Sequence, residues 1–448
     1  MTAQPQIQRD ELPPLARDRS FWGMTVTQFL GAFNDNLFKQ LVLLICINFA
    51  KRGGRDYQPI AMALFAIPFV LFSGLGGYLS DCTGKRRIII LCKVAEILIM
   101  LLGLAALLAG QVNPQWLLLY MLIVLFLMST QSGFFGPAKY GILPEMLRER
   151  DLPQANGVVQ MTTFVAIIFG MALAGYSKDW FQGRLWMISI LCIGIAVAGT
   201  LTSLSLRKTQ VAHPGLRFNL STLAINRETW RMLRSDRPLM GVLLVSSLFW
   251  FVGGVVQQAV NAFGRLQLNY SNSRTSLLAA CMGVGIAVGC LLAGKASHHR
   301  VNFRLVTIGA WGIIACLAAL VWLGHIAVPL PDDGKPTVPE SLAELLAPLS
   351  TTELMTRFAL VGLGTFAGLF VVPLQVFVQA RPPEDQKGRM IGALNLINWI
   401  GIVFSALFYQ ACLVSLKAFK LNISWTFAAL AATMLAVALF YRPRINQA

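Results

Sequence analysis

Long apolar blocks separated by short polar runs limit what this chain can fold into. Of its 448 residues, 56% are hydrophobic and only 13% are charged. About 20 apolar residues in a helix cross a hydrocarbon core of ~30 Å, and lipid offers no hydrogen-bond partners to irregular backbone. The pattern predicts an all-α polytopic membrane protein and excludes a soluble chain of several domains with charged surfaces.

Twelve transmembrane helices are predicted from these blocks, in two bundles of six. A basic segment, 207–238, separates the sixth helix from the seventh. The predicted domains are therefore a bundle over 1–206, a cytoplasmic linker over 207–238 and a bundle over 239–448. Apolar and basic residues alternate in the linker, which predicts an amphipathic helix on the inner leaflet; a soluble linker helix is the alternative. The predicted helices span 21–49, 58–80, 88–109, 115–136, 155–176, 185–206, 239–264, 275–296, 303–326, 356–378, 389–412 and 422–441.

The distribution of Lys and Arg predicts the orientation in the membrane. With a cytoplasmic N-terminus, the inward-facing segments hold 24 of these residues and the outward-facing segments hold 11. Cytoplasmic loops carry such an excess, so both termini are predicted to be cytoplasmic. The net charge of +17 then reflects loops that face anionic lipid rather than nucleic acid. Residues 1–20 are hydrophilic, so a cleaved signal peptide is not expected.

The segment Gly77–Arg87, GYLSDCTGKRR, joins the second and third predicted helices. Gly77 would let the second helix pack closely on a neighbour, Asp81 can cap the N-terminus of a nearby helix, and Gly84 permits a tight turn. An ordinary basic loop would not need the two glycines and the acid at this spacing. The bases that can bind acids elsewhere on the cytoplasmic face are Lys85, Arg86 and Arg87.

This loop closely resembles the signature loop of the major facilitator superfamily. The resemblance implies two six-helix bundles that rock around a central cavity, with the loop as a latch on the cytoplasmic side. The second half carries a partial copy, Gly294–Arg304, in which His298 stands at the position of Asp81. We therefore expect a weaker second gate. The gate residues that the resemblance implies are Gly77, Asp81, Gly84, Lys85, Arg86 and Arg87.

Polar residues interrupt the first apolar block at Gly31–Gln40, GAFNDNLFKQ. On a helix, Gln28, Asp35 and Lys39 lie on one stripe. A charged residue at the centre of a membrane helix costs about 2.5–3.5 kcal/mol on insertion scales, so the stripe is expected to face protein or a cavity. Asp35 and Lys39 are four residues apart. They are interpreted either as a structural ion pair or as part of a transport path.

A second polar stripe lies on the seventh predicted helix. Gln257, Asn261 and Arg265 recur at four-residue spacing. The superfamily resemblance implies that the first and seventh helices are symmetry mates beside the cavity. Two polar stripes in these positions favour a shared binding site over an isolated ion pair.

Three short segments are similar to bacterial lysophospholipid transporters. TQFLGAFNDNLFKQ at Thr27–Gln40 resembles their first helix, GFFGPAKYGILPEM at Gly133–Met146 the end of their fourth, and SLFWFVGG at Ser247–Gly254 the start of their seventh. Such proteins move lysophospholipids across the inner membrane for reacylation. The resemblance implies a monomeric inner-membrane transporter of lysophospholipids, surrounded by membrane lipids and partnered by a separate acyltransferase.

A lysophosphatidylethanolamine headgroup carries one phosphate and one ammonium. Asp35 would bind the ammonium, and Lys39 or Arg265 would bind the phosphate. The full set of expected binding residues is Gln28, Asn34, Asp35, Asn36, Lys39, Gln131, Gln160, Gln257, Asn261, Arg265, Asn395 and Asn398. An apolar wall for the acyl chain is expected from Phe33, Phe134, Phe135 and Trp399.

Catalysis, cofactors and metals are not expected in this chain. Fused acyltransferases share a His-x-x-x-x-Asp motif, and none of the four His here has Asp five residues later. A G-x-x-x-x-G-K-[ST] phosphate loop is missing, and the eight Cys lack zinc-ligand spacing.

Two other functions are compatible with parts of the sequence. A proton-coupled exporter of drugs or other amphiphiles would use Asp35 as its proton carrier, since acids inside membranes often serve that role. A scaffold that only docks an acyltransferase would need neither the latch loop nor the paired polar stripes.

Changing Asp81 to Ala is expected to reduce the turnover of transport far more than substrate binding. A residue that stabilises one conformation shifts the balance between states and leaves the cavity intact. Uptake and binding measured on the same purified variant check this. Transport at the normal rate would contradict the role assigned to the loop.

Overall fold

The computed structural model is all-α within the residues that it describes, which are 13–148, 151–209, 231, 233–296, 302–329, 339, 341–380 and 387–441. In this part of the chain, eleven helices are long and apolar enough to cross a membrane, and a further apolar helix, Trp425–Phe440, is shorter. The predicted twelve-helix membrane fold is confirmed.

Most of the long helices extend past their predicted bounds, because polar residues at their ends continue the helical pattern of backbone hydrogen bonds. The first six are α1 (Arg19–Lys51), α2 (Gln58–Thr83), α3 (Lys85–Val112), α4 (Leu117–Gly141), α5 (Leu152–Trp180) and α6 (Trp186–Leu204). The second six are α7 (Arg237–Ala262), α8 (Asn272–Ala296), α9 (Phe303–Ile326), α10 (Thr351–Ala380), α11 (Lys387–Phe419) and α12 (Trp425–Phe440). A π-helical turn, Phe263–Gln267, continues α7.

Side-chain caps fix where several helices begin. Asp18 accepts hydrogen bonds from the backbone N–H groups of Ser20 and Phe21 at the start of α1. Asp236 caps α7 through Leu239 N–H at 3.1 Å. Such caps satisfy N–H groups that have no partner within the helix.

The helices pack as two units that do not divide the sequence at its midpoint. Three helices of the first half also contribute to the second unit. The part of α1 after Asn36, the part of α2 before Leu71 and the part of α5 after Gly170 pack with the second half of the chain. The division at 206 and 239 stays a prediction. The first unit is Met1–Asn36, Leu71–Gly170 and Leu185–Ala224, and the second is Leu37–Val70, Met171–Arg184 and Ile225–Ala448. Parts of the predicted linker (210–230 and 232) and of the partial loop copy, including His298, lie outside the described residues.

In the first unit, α2 and α4 approach each other at Gly76 rather than at Gly77. A Cβ built on Gly76 would lie 2.9 Å from Phe134 Cα, whereas one on Gly77 would lie 3.9 Å from Pro137 Cβ. The latter distance is an ordinary van der Waals contact. The close-packing role that the sequence analysis gave to Gly77 therefore belongs to its neighbour.

In the second unit, α8 and α10 touch backbone to backbone. A Cβ on Gly285 would lie 2.0 Å from Val361 O, and one on Gly364 would lie 2.0 Å from Met282 O. Small residues allow such approach between membrane helices. The seam holds together the apolar core of this unit, in which Phe370 and Leu374 of α10 are buried.

Changing Gly285 to Ala is expected to lower the thermal stability of the protein in detergent. The added methyl group overlaps backbone that cannot yield, and overpacking of this kind costs about 1–3 kcal/mol. Gly253→Ala is the matched control, because a Cβ there would meet no described heavy atom within 4 Å. Equal melting temperatures for the two variants would contradict the close backbone contact between α8 and α10 at Gly285.

Candidate substrate-binding site and gate

The helices α1 and α4 run antiparallel and are joined by polar contacts at two levels. At one level, Lys139 Nζ donates a 2.9 Å hydrogen bond to Gln28 Oε1. At the other, Ser132 Oγ donates a 2.6 Å hydrogen bond to Asp35 Oδ2. On each helix the two levels are seven residues apart, or about 10.5 Å. On α4, a Cβ built on Gly136, which lies between the two levels in the sequence, would meet no described heavy atom within 4 Å.

Lys139 is a buried base within the membrane-spanning part of α4. It is 8% exposed, and its ammonium also donates a 3.1 Å hydrogen bond to Thr163 Oγ1 on α5. The Tyr140 ring centre lies 5.0 Å from Nζ. Within the described chain, the acceptors of Lys139 are the neutral side chains of Gln28 and Thr163. Asp35 is close enough for its charge to act on Lys139.

Asp35 and two of the predicted glutamines lie in this same unit. Asp35 is half-buried, and its donor, Ser132, also bonds Gln131 Oε1 at 3.1 Å. Gln160 Oε1 accepts a 3.4 Å hydrogen bond from Tyr140 OH. The structure thus brings Gln28, Asp35 and Gln131 onto the α1–α4 interface and places Gln160 beside it.

The aromatic residues predicted for the acyl chain have different partners. Phe134 stacks on Phe72 of α2, with ring centroids 5.8 Å apart. Phe33 contacts another ring of α1 at 6.1 Å. Phe135 turns towards α3, where Lys93 Nζ lies 5.6 Å from its ring centre.

Asn34 belongs to a buried cluster that joins α1 to α3 and α6. Its Nδ2 donates hydrogen bonds to Glu96 Oε1 at 2.7 Å and to Cys192 O at 3.3 Å. Glu96 is also paired with Lys93, and each side chain of that pair is 1% exposed. Asn36 Nδ2 donates to a carbonyl of its own helix. The two amides are therefore engaged within the protein.

Gln257 and Asn261 belong to a network of buried amides in the second unit. Gln40 Nε2 donates a 2.9 Å hydrogen bond to Asn261 Oδ1, and Gln257 Nε2 donates a 3.2 Å bond to Gln40 Oε1. Asn261 Nδ2 donates to Gln58 Oε1 at 3.0 Å. The network ties α1, α2 and α7 together and satisfies its own polar groups.

An acid outside the membrane-spanning segments extends this network. Asp56 accepts hydrogen bonds from Gln58 N–H and Gln58 Nε2, and from Tyr409 OH on α11 at 3.3 Å. Burial raises the pKa of the Asp56 carboxyl, and the hydrogen bonds from Gln58 and Tyr409 oppose that rise.

The two bases predicted to bind phosphate both lie in the second unit. Arg265 is 5% exposed, donates to Tyr270 O, and donates to Asn48 Oδ1 at 3.3 Å. Lys39 Nζ lies 4.8 Å from the centre of the Phe65 ring. The guanidinium of Arg265 is thus engaged by the loop that follows its own helix.

The residues predicted on α11 differ in their surroundings. Asn395 is exposed, whereas Asn398 is 7% exposed. Within the described part of the chain, Asn398 Oδ1 has no hydrogen-bond partner. Trp399 stacks face to face on Phe69, with ring centroids 3.7 Å apart, and contacts Phe65 edge-on.

The predicted latch loop makes a sharp turn and binds an acid. Gly84 has a φ of +89°, which L side chains rarely adopt. Lys85 forms an ion pair with Glu145, which belongs to the short helix after α4. Arg87 is exposed. The side chain of Asp81 lies outside what the structure describes.

Arg86 binds carbonyl groups rather than an acid. It donates to Leu206 O at 2.7 Å and to Leu204 O at 3.1 Å, at the C-terminal end of α6. A cation at a helix C-terminus satisfies carbonyls that have no partner in the helix and opposes the negative end of its dipole.

Lys139 is not among the predicted site residues, because the fourth helix is predicted to end at residue 136, before Pro137. The structure continues α4 through Pro137 to Gly141. Proline inside a membrane helix is tolerated where neighbours satisfy the freed backbone groups. The seven-residue spacing from Ser132 to Lys139 is the signal that would have revealed the base.

The described residues contain no group of three His, Cys, Asp or Glu that could hold a metal ion. The eight cysteines are free thiols.

Changing Glu96 to Gln is expected to destabilise the protein by about 3–5 kcal/mol, because it leaves Lys93 buried without a counter-charge. The double variant Lys93→Met/Glu96→Gln should recover most of that loss. Glu145→Gln is the control, because its pair is partly exposed. Thermal unfolding of the four proteins checks this, and a normal melting temperature for Glu96→Gln would refute the ion-pair assignment.

Known proteins resemble the chain over most of its length. A family model for the Major Facilitator Superfamily matches residues 24–406. The lysophospholipid transporter LplT of Escherichia coli O9:H4 (strain HS) is 28% identical over 423 residues, which are 92% of this chain and 93% of that protein. LplT of Shigella boydii serotype 4 (strain Sb227) is 28% identical over 382 residues, 83% of each chain.

Solved structures share the fold at low sequence identity. A mutant of the nucleoside transporter NupG matches with a TM-score of 0.65 at 14% identity, over 93% of this chain and 98% of that one. Tetrameric PepTSo2 matches with a TM-score of 0.61 at 14% identity, over 94% and 96%. The family match and the helical fold agree: the chain is a multi-pass membrane protein that belongs to the Major Facilitator Superfamily of transporters.

Proposed function

We propose that the protein transports lysophospholipids across the bacterial inner membrane, where a separate acyltransferase reacylates them. Both termini would be cytoplasmic, and the transporter would act as a monomer. The observation that carries this proposal is Lys139, a buried base with neutral hydrogen-bond partners, on the same helix interface as Asp35. The similarity to LplT supports the choice of lipid.

Lys139 is the residue best suited to a phosphate. A buried ammonium is stabilised by an anion that it can reach, and charged hydrogen bonds are roughly twice as strong as neutral ones. Gln28 and Thr163 hold the ammonium but bring no negative charge. A substrate phosphate would supply it. We therefore assign the phosphate to Lys139 in preference to Lys39 or Arg265.

Asp35 is suited to the ammonium of an ethanolamine headgroup. It is half-buried, and Ser132 donates to Oδ2; a carboxylate can accept hydrogen bonds from several donors at once. The two helical turns between the levels give room for a headgroup that reaches from base to acid. The stacked rings of Phe72 and Phe134, in the same unit, offer an apolar surface to the acyl chain.

Uptake of labelled lysolipids into proteoliposomes tests both assignments. Lys139→Gln keeps a hydrogen-bond donor for Gln28 but loses the charge, so affinity should fall about tenfold or more for every phosphate-bearing lysolipid. Asp35→Asn should lower the affinity for lysophosphatidylethanolamine by a similar factor. It should lower the affinity for lysophosphatidylglycerol, which has no ammonium, much less.

Lys39→Gln is the matched control for the base. If Lys39→Gln reduces uptake and Lys139→Gln does not, the phosphate assignment is wrong. If all three variants reduce the uptake of both lipids equally, Asp35 does not recognise the ammonium of the headgroup. Uptake measured with and without a proton gradient separates this function from a proton-coupled exporter, which would lose concentrative transport in Asp35→Asn.

A further inference from the structure

An open groove lies between the start of α1 and the end of α6, within the first unit. Its volume is about 530 Å³, in the range of clefts that hold small ligands, about 300–1,000 Å³. The lining residues of α1 recur at three- and four-residue spacing, so they form one face of that helix. The lining includes Arg19, Trp22, Gly23 and Val26 of α1 and Leu201 and Ser205 of α6.

The floor of the groove is a close contact between the two helices. A Cβ built on Gly23 would lie 2.0 Å from Ser205 Oγ and 3.2 Å from Thr202 O, so a larger side chain there would fill the floor. Four residues further along α1, the hydroxyls of Thr27 and Thr202 share a hydrogen bond of 2.9 Å. The helices thus touch along the floor, and the side chains that flank this contact form the walls.

The walls change from polar to apolar along the helices. Arg19 in the first turn of α1 and Ser205 at the C-cap of α6 lie at the helix ends. Val26 follows Arg19 by two helical turns, or about 10.5 Å, and Val26 and Leu201 are 40% and 62% exposed. Trp22 lies between the two levels, and tryptophan is enriched where a membrane meets water. This order, from charge to apolar surface, matches a phospholipid with its headgroup at the interface.

The exposed charges beside the groove are positive. In the described segments 13–27 and 200–209, the charged side chains that are exposed are Arg17, Arg19 and Lys208. The acid in these segments, Asp18, is fully buried, and its two oxygens accept hydrogen bonds from Arg207 at 2.7 and 2.8 Å. Basic pockets between membrane helices on the cytoplasmic side bind anionic headgroups. The charge therefore favours an anionic lipid over a zwitterionic one.

The buried ion pair holds the groove in shape. Besides Asp18, the Arg207 guanidinium donates to Met146 O at 2.9 Å, and Arg207 N–H donates to Ser20 Oγ at 2.9 Å. The start of α1 and the chain that follows α6 are thereby fixed against each other. A site that is formed before its ligand arrives loses less free energy to ordering when the ligand binds.

We propose that this groove binds an anionic phospholipid from the leaflet on the predicted cytoplasmic side, with the phosphate at the Arg19 guanidinium and an acyl chain along Trp22, Val26 and Leu201. The planar guanidinium carries pairs of N–H donors that match the geometry of a phosphate. The apolar side chains below it are exposed, so an acyl chain can reach them from the surrounding membrane.

The lipid in this groove is a resident ligand and not the transported molecule. The proposed lysolipid site uses Gln28, Asp35 and Lys139, and none of these three residues lines the groove. The groove is therefore independent of which substrate crosses the membrane.

Native mass spectrometry of the full-length protein in detergent tests the site. Titration with phosphatidylglycerol should show a first lipid that binds more tightly than later ones. Phosphatidylcholine with the same acyl chains should bind about tenfold more weakly, because it carries no net negative charge. Arg19→Gln removes a charge-assisted hydrogen bond and should raise the Kd of the first phosphatidylglycerol about tenfold or more. Arg19→Lys keeps the charge and should raise that Kd less.

Arg304→Gln is the matched control. Arg304 is also an exposed arginine in the first turn of a membrane helix on the predicted cytoplasmic side, but it does not line the groove. This variant should bind phosphatidylglycerol like the unmodified protein. An equal loss in Arg304→Gln and Arg19→Gln would mean attraction by net charge alone and would overturn the site.

Three further outcomes would also contradict the assignment. Equal Kd values for the unmodified protein and Arg19→Gln would exclude Arg19 as the phosphate ligand. Equal binding of phosphatidylcholine and phosphatidylglycerol would show that the groove does not recognise the charge. Displacement of the first lipid by glycerol 3-phosphate, which has the phosphate but no acyl chain, would indicate an anion site rather than a lipid site. Because lysolipid uptake is not measured, failure here leaves the proposed function untouched.

Discussion

A polar side chain in a membrane helix needs hydrogen-bond partners inside the protein, because hydrocarbon provides none and an unsatisfied group costs several kcal/mol. Much of the architecture of this transporter follows from that requirement. Gln40, Asn261 and Gln58 bind one another across three helices. Asn34 and Glu96 do the same between α1 and α3. Each cluster fixes which faces of its helices turn inwards, and thereby which faces meet lipid.

The buried charges differ in the partners that they have. Lys93 with Glu96, and Arg274 with Glu353, are pairs whose charges cancel within the protein. Lys139 instead has neutral acceptors in the described chain. Carrying a positive charge into a membrane helix is costly, and the negative charge that acts on Lys139 is that of Asp35, which is not among its hydrogen-bond acceptors. We propose that a substrate phosphate offsets this cost, and the proposed headgroup position at Lys139 rests on it.

Two of the long helices, α1 and α5, contribute residues to both units of packing. The part of α1 up to Asn36 packs in the first unit and carries Gln28 and Asp35, whereas the part after it packs with α7 and α8. Similarly, α5 bears Thr163 at the site and Asp179 at the junction with α8.

Local properties of the sequence were sufficient for the class of fold and for the number of helices. The length of an apolar block decides whether it spans a membrane, and this needs no knowledge of its neighbours. The same holds for Gly84, whose turn follows from its own backbone freedom, and for the stripe that includes Gln28 and Asp35, which follows from the period of the helix.

Partners across helices were decided only by the tertiary structure. Asn34 and Asp35 are adjacent in sequence, yet one bonds Glu96 and the other accepts from Ser132. Lys139 was not predicted, because Pro137 was expected to end the fourth helix, whereas α4 continues through it. The hydrogen bond from Ser273 N–H to Asp179 joins residues 94 positions apart. A sequence specifies which side chains need a partner. Which helices lie side by side, and at what rotation, is set by packing summed over the whole bundle, so the identity of each partner emerges only there.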